Sequence, residues 1–79
     1  MFYVYILKSE KTGKYYIGYT SDLEKRLRYH NADKNRSTIG GAPWKVVRQE
    51  KYETKGRAWL RERQVKSYKG GEAFQKLVM

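Results

Sequence analysis

The chain reads as an α+β fold, a small three-stranded antiparallel sheet flanked by helices in the order β-β-α-β-α-α. Three observations predict it. Two runs of tyrosine and β-branched residues, Tyr3-Val4-Tyr5-Ile6-Leu7 and Tyr15-Tyr16-Ile17-Gly18-Tyr19, flank a short polar spacer. Two stretches, from Ser21 to Asn31 and from Thr54 to Tyr68, open on capping residues and carry apolar residues at helical spacing. Between them, Trp44 to Tyr52 mixes Val46-Val47 with basic residues and reads as a third strand.

Taken in order, the spacer from Ser9 to Lys14 contains Thr12-Gly13, so the first two strands form a β-hairpin. Alternation puts Tyr3 and Tyr5 on one face of the first strand, and Tyr16 and Gly18 on one face of the second. Ser21-Asp22-Leu23-Glu24 has the form of a capping box, with Ser21 as N-cap and Glu24 reaching back. The helix that follows brings Leu23, Leu27 and His30 to one face, with Arg26 at its edge. Lys34 to Pro43 has Gly40-Gly41 and no periodicity, so it is a basic loop. Thr54 caps a second helix, ended by Gly70-Gly71, in which Ala58, Trp59 and Val65 cluster and Glu62 falls within their arc. Glu72 to Val78 is a short closing helix carrying Phe74, Leu77 and Val78. Strand order does not follow from this reasoning.

Seventy-nine residues are expected to form one domain, 1–79, with a modest core. There is no cysteine, which excludes disulfides and thiolate zinc sites. Two Trp, eight Tyr and two Phe supply much of the area to be buried. Eighteen Lys and Arg against eight Asp and Glu give a net charge of +10, which calls for an anionic partner, nucleic acid before an acidic membrane surface. No apolar run approaches membrane-spanning length, and Phe2 to Leu7 lacks the basic region and cleavage site of a signal peptide. The expected home is the cytoplasm.

Several chemistry-bearing residues stand where apolar ones would be the default: the hairpin tyrosines, Arg26, His30 and Glu62. A carboxylate on an inward arc needs a cation, a metal or water beside it. Phosphodiester hydrolysis uses such a set, since it needs an activated water, a base, and positive charge on the phosphate and the leaving oxygen. A hard ion such as Mg²⁺ or Mn²⁺ can be held by one carboxylate plus substrate phosphate. Arg26 can fork onto a non-bridging oxygen. Either Tyr5 or His30 can take the proton, and a tyrosine base requires nearby positive charge to stabilise the phenolate. Plainer readings stand beside these. Arg26 can pair with Asp22 four residues back, His30 can meet the helix dipole, and Glu62 can bridge Arg26 or Lys66. Lys34, Arg36, Lys45 and Lys66 read as a phosphate-steering field for nucleic acid.

These residues resemble the GIY-YIG nuclease family, its short stand-alone members above all, over about the first 66 residues. Tyr3-Val4-Tyr5 takes the place of the first motif, with Tyr3 where the glycine would stand, and Tyr16-Ile17-Gly18 is the second motif intact. Asp22-Leu23-Glu24-Lys25-Arg26-Leu27, then His30-Asn31, is similar to the family's arginine-bearing helix, and Ala58-Trp59-Leu60-Arg61-Glu62 with Lys66 to its second helix. The resemblance implies that Tyr5 is the general base, that Tyr16 orients the water network, and that Arg26 contacts the scissile phosphate. It further implies that His30 lies in the site and that Glu62 binds the divalent metal. Some members carry a late asparagine near the site, whereas no Asn follows Asn35 here.

The expected function is therefore a Mg²⁺- or Mn²⁺-dependent endonuclease acting on DNA in repair or recombination, RNA being the other nucleic acid open to it. With no separate recognition domain in the chain, DNA structure or a protein partner is expected to supply specificity. The alternative is a nucleic-acid-binding module of the same fold that cuts poorly, and a third, a basic adaptor for an acidic protein.

Overall fold

A computed structural model describes residues 1–79. Strand β1 (Phe2–Ser9) turns through residues 10–14 into β2 (Tyr15–Thr20). The chain then forms α1 (Leu23–Asn31), a single 3-10 turn (Arg36–Thr38), β3 (Trp44–Tyr52), α2 (Lys55–Ser67) and α3 (Glu72–Val78). The sheet has the order β2-β1-β3, antiparallel at both junctions, so the α+β reading and its element order hold. β1 is the central strand, and its Val4 to Leu7 are all buried. An unbroken buried run is what a central strand covered on both faces requires.

Alternation along β1 divides the interior in two. Tyr5 and Leu7 pack with Trp44, Tyr16, Leu23, Leu27 and Val46 beneath α1. On the other face Ile6 packs with Val65 of α2, Phe74 of α3 and Val47. β3 feeds both clusters, Val46 on the Tyr5 side and Val47 on the Ile6 side, and carries a bulge opposite Ile6–Leu7. In register, Leu7 lies opposite Tyr16 and Tyr5 opposite Gly18. Cross-strand partners share a face, so the Tyr16 and Gly18 side is the Tyr5 side.

Three local expectations are corrected. The N-cap of α1 is Asp22, whose carboxylate accepts from the Lys25 amide at 3.0 Å. Asp22 has the extended backbone that a cap needs and Ser21 precedes it, while Glu24 pairs with Arg28 along the exposed face at 3.5 Å. The loop after α1 is more ordered than its lack of periodicity suggests. Asn35 caps the 3-10 turn by accepting from the Ser37 amide at 2.8 Å, Trp44 Nε1 donates to the Thr38 carbonyl, and Ser9 Oγ donates to the Gly41 carbonyl. Finally, Trp59 is outside the core at 42% exposed, and Ala58 and Val65 alone fill the inward stripe of α2. Thr54 caps α2 as expected, accepting from the Arg57 amide at 3.2 Å. The helix ends at left-handed Lys69 and Gly70 (φ 50° and 76°), at the Gly70-Gly71 stop read from the sequence.

Candidate active site

The central feature is a buried chain of hydrogen bonds running from the sheet into the loop. Tyr5 Oη lies 3.0 Å from His30 Nε2, and His30 Nδ1 lies 2.9 Å from Thr38 Oγ1. Thr38 Oγ1 in turn lies 3.3 Å from the Asn35 carbonyl, which can only accept. A hydroxyl has one proton, so Thr38 donates it to Asn35 and accepts from His30 Nδ1–H. That leaves Nε2 unprotonated, and Tyr5 donates its phenolic proton to it. The direction of every bond in the chain is thus fixed by one backbone carbonyl. Tyr5, His30 and Thr38 are 2%, 0% and 1% exposed, so water does not compete for these bonds.

The second motif acts through its glycine. A Cβ at Gly18 would stand 2.6 Å from Tyr5 Oη and 2.8 Å from its ring, an overlap that no real side chain tolerates. Gly18 is therefore the space in which the Tyr5 phenol lies, on the strand beside it. Tyr16, two residues away, packs beside both rings, with its ring centroid 6.3 Å from Tyr5 and 4.7 Å from His30.

Arg26 is half-buried on α1 and carries no ion pair. The expected pairing with Asp22 is not made, because that carboxylate is turned back to cap its own helix. The guanidinium carbon instead sits 5.4 Å from the Tyr29 ring, and both residues line an open cleft of about 500 Å³ with Thr20, Ser21, Asp22 and Lys25. None of Tyr5, Tyr16, His30 and Glu62 lines that cleft.

Glu62 comes from α2, which packs against β1 and β2. Its side chain is 13% exposed and its one ionic contact is a long one, Lys66 Nζ at 3.4 Å. Its charge and that of Arg26 both reach the Tyr5 phenol, the carboxylate raising its pKa and the guanidinium lowering it. Burial is the largest influence, followed by Tyr16, and the net result is a Tyr5 pKa well above that of a free phenol. The expectation that surplus positive charge would lower it is thus corrected, because dehydration of the buried ring outweighs Arg26. Burial and then Arg26 hold the pKa of His30 below its ordinary value, so its ring is neutral at neutral pH.

The steering cations divide. Lys66 sits at Glu62. Lys34 and Arg36 are exposed in the loop around the 3-10 turn, and Lys45 is exposed opposite Lys8 at the hairpin end of the sheet. These three are free of ion pairs. Two groups escaped the sequence reading. Thr38 left no signal beyond the Asn35-x-Ser37 turn pattern. Glu50, on β3, accepts from Arg48, Tyr52 and, through two nitrogens, Arg61 of α2 at 2.7–3.0 Å.

No three His, Cys, Asp or Glu side chains converge anywhere in the structure. An ion that demands a closed protein cage does not fit it. A single carboxylate, largely buried and held only by a distant lysine, fits a hard ion that keeps most of its water and takes oxygens from phosphate.

The chain is similar to known proteins over most of its length. The family described as the GIY-YIG catalytic domain matches residues 1–73. A UPF0213 protein of Haloquadratum walsbyi is 40% identical over 67 residues, 84% of this chain and 74% of that one. One from Staphylococcus saprophyticus is 39% identical over 67 residues, covering 84% and 80%. The solution NMR structure of the UPF0213 protein BH0048 from Bacillus halodurans superposes with a TM-score of 0.61 at 32% identity, covering 99% of this chain and 83% of that one.

Proposed function

The chain belongs to the GIY-YIG family, a family of nuclease domains that generally use divalent metals, and from that premise we propose that residues 1–79 form one endonuclease domain hydrolysing phosphodiester bonds in DNA. The observation that carries the proposal is the buried Tyr5–His30 bond, 3.0 Å long, lying in the field of both Arg26 and Glu62. Glu62 would hold Mg²⁺ or Mn²⁺. Bound there, the ion would supply Lewis-acid polarisation of the phosphate and charge for the leaving oxygen.

The chain's own residues do the rest. Arg26, free of any internal carboxylate, grips a non-bridging phosphate oxygen from the cleft. Tyr5 accepts a proton from the attacking water as its own proton passes to His30 Nε2. No free phenolate forms, which suits a phenol whose pKa burial has raised. His30 becomes an imidazolium whose Nδ1–H is already bonded to Thr38. Because its pKa lies below the ordinary value, it releases the proton readily, and the leaving alkoxide is reprotonated from solvent. Tyr16 holds both rings in place and orients the water. Lys34, Arg36, Lys45 and Lys66 draw in the sugar–phosphate chain.

The role proposed is in repair or recombination in the cytoplasm, directed by DNA structure or a protein partner. No helix is long and apolar enough to cross a membrane. One observation favours a second reading. The Lys66 ammonium near Glu62 neutralises the acid without a metal, as it would in a binding module of this fold that cuts poorly. Incubation with branched and nicked DNA plus Mg²⁺, beside Glu62→Ala and Arg26→Ala, separates them. Metal-dependent cutting lost in both variants supports the nuclease. Tight, salt-sensitive binding without turnover across divalent metals supports the module, and metal-independent cutting, or cutting by both variants equal to that of the wild type, overturns the mechanism.

A further inference from the structure

Trp59 has no role in the chemistry described above, and its placement is unusual for the largest apolar side chain. It is 42% exposed, whereas the other tryptophan, Trp44, is 6% exposed in the core. Residues three and four apart are neighbours on a helix, so Trp59, Glu62, Arg63 and Lys66 form one stripe along α2. Within it the Arg63 guanidinium carbon lies 4.9 Å from the Trp59 ring, and Lys66 Nζ lies 3.4 Å from Glu62. The indole therefore stands one helical turn from the carboxylate proposed to hold the metal, and the guanidinium is on the residue that follows it.

We propose that Trp59 and Arg63 form a subsite that stacks an unpaired nucleobase flanking the reacting phosphodiester. Bases inside a duplex spend their faces on each other, and only an unpaired base offers a face to an indole or a guanidinium. Charge selects this occupant. Two of the stripe's three charged residues, Arg63 and Lys66, are cations, Lys55 and Arg57 are exposed in the first turn of the same helix, and the whole chain carries +10. A nucleotide strand complements that field, while a second copy of the chain would bring an equal charge against it. The proposal rests on the nuclease reading for what occupies Glu62, but the binding it requires needs no turnover.

The test is binding in excess chelator at fixed ionic strength, comparing single-stranded oligodeoxythymidylate with a blunt duplex of equal length. The expected result is quenching of tryptophan fluorescence by the single strand. Trp59→Leu, which keeps apolar bulk but loses the ring, should weaken single-strand binding about tenfold and duplex binding less than about twofold. Trp59→Phe should retain most of the affinity. Equal weakening of both ligands, no weakening of either, or a dimer in sedimentation that Trp59→Leu dissolves would overturn the proposal. Absence of cleavage by an otherwise binding-competent protein would instead remove the nuclease reading and leave the subsite standing.

Discussion

Glu50 and Glu62 are two glutamates with nearly the same burial, 14% and 13% exposed at the side chain, and opposite surroundings. Glu50 accepts four hydrogen bonds, from Arg48, from Tyr52 and twice from Arg61, and these lower its pKa to about 2. Glu62 has one lysine at 3.4 Å. A saturated carboxylate ties β3 to α2 and has no lone pairs left for anything that diffuses in. An under-coordinated one is costly to keep and is useful only if something binds it. Burial alone does not distinguish a structural acid from a working one; coordination does.

The sharpest way to break the comparison is to remove each carboxylate in turn. Glu62→Gln should cost cleavage at least about 10²-fold, the scale of losing a principal electrostatic group at a reacting centre. Its thermal midpoint should stay within a few degrees of wild type, roughly the effect of half a kcal/mol. Loss of folding together with activity would place Glu62 in the structural class with Glu50.

Glu50→Ala should do the reverse. It strands Arg61 and Arg48 over a partly buried surface, and a loss of about 2 kcal/mol is expected, or about 8–16 °C in the melting midpoint of a domain this size. Cleavage per folded molecule, measured well below that midpoint, should be nearly unchanged. A large fall in cleavage by fully folded protein would mean that the Arg48–Glu50–Arg61 network shapes the site.

A smaller effect is expected at Thr38, where the comparison becomes one of direction rather than number of bonds. Thr38→Val keeps the shape and removes the acceptor for His30 Nδ1–H, freeing the ring to take the other tautomer and oppose Tyr5. Cleavage should fall about tenfold, at the low end for a misdirected proton transfer, and Thr38→Ser should restore most of it. The ¹⁵N shifts of His30 should report protonated Nδ1 in wild type and in Thr38→Ser, and a mixture in Thr38→Val. An Nε2-protonated ring in wild type would reverse the whole chain.

How much of this was legible beforehand depended on how local the cause was. The strands, the helices and their order follow from side-chain periodicity and caps, which act over a few residues, and they came out close to the observed boundaries. Tyr5, Tyr16, Arg26, His30 and Glu62 were named from their residue types, their inward positions and the family resemblance. Their mutual arrangement required tertiary structure, and two details went the other way. Dehydration raises the Tyr5 pKa more than Arg26 lowers it, a balance that depends on packing and not on net charge. Trp59 lies outside the core because it stands about 100° around α2 from the Ala58 and Val65 stripe that packs inward, an offset that grouping it with them overlooked. Thr38 and Glu50 depend on partners 8 and 11 residues away across the fold, His30 and Arg61, and so left no periodic trace.

The gentlest test perturbs the comparison with protons rather than mutations. The Glu50 pKa is about 2 in the fold against an ordinary value of 4.5, so between those values the unfolded chain binds a proton that the folded chain does not. Stability from this group is therefore fully present above about pH 4.5 and is lost as pH falls towards 2, with no change between pH 6 and 8. Solvent at the rim of the Arg48 pair screens the interaction, and about 1 kcal/mol of acid-sensitive stability is the expected size. Urea midpoints measured from pH 6 down to pH 2 should fall more steeply for wild type than for Glu50→Gln, whose neutral amide has no proton to gain. Parallel curves would mean that the guanidiniums hold Glu50 no more tightly in the fold than water does in the unfolded chain, and the contrast between the two acids would then rest on geometry without energetic weight.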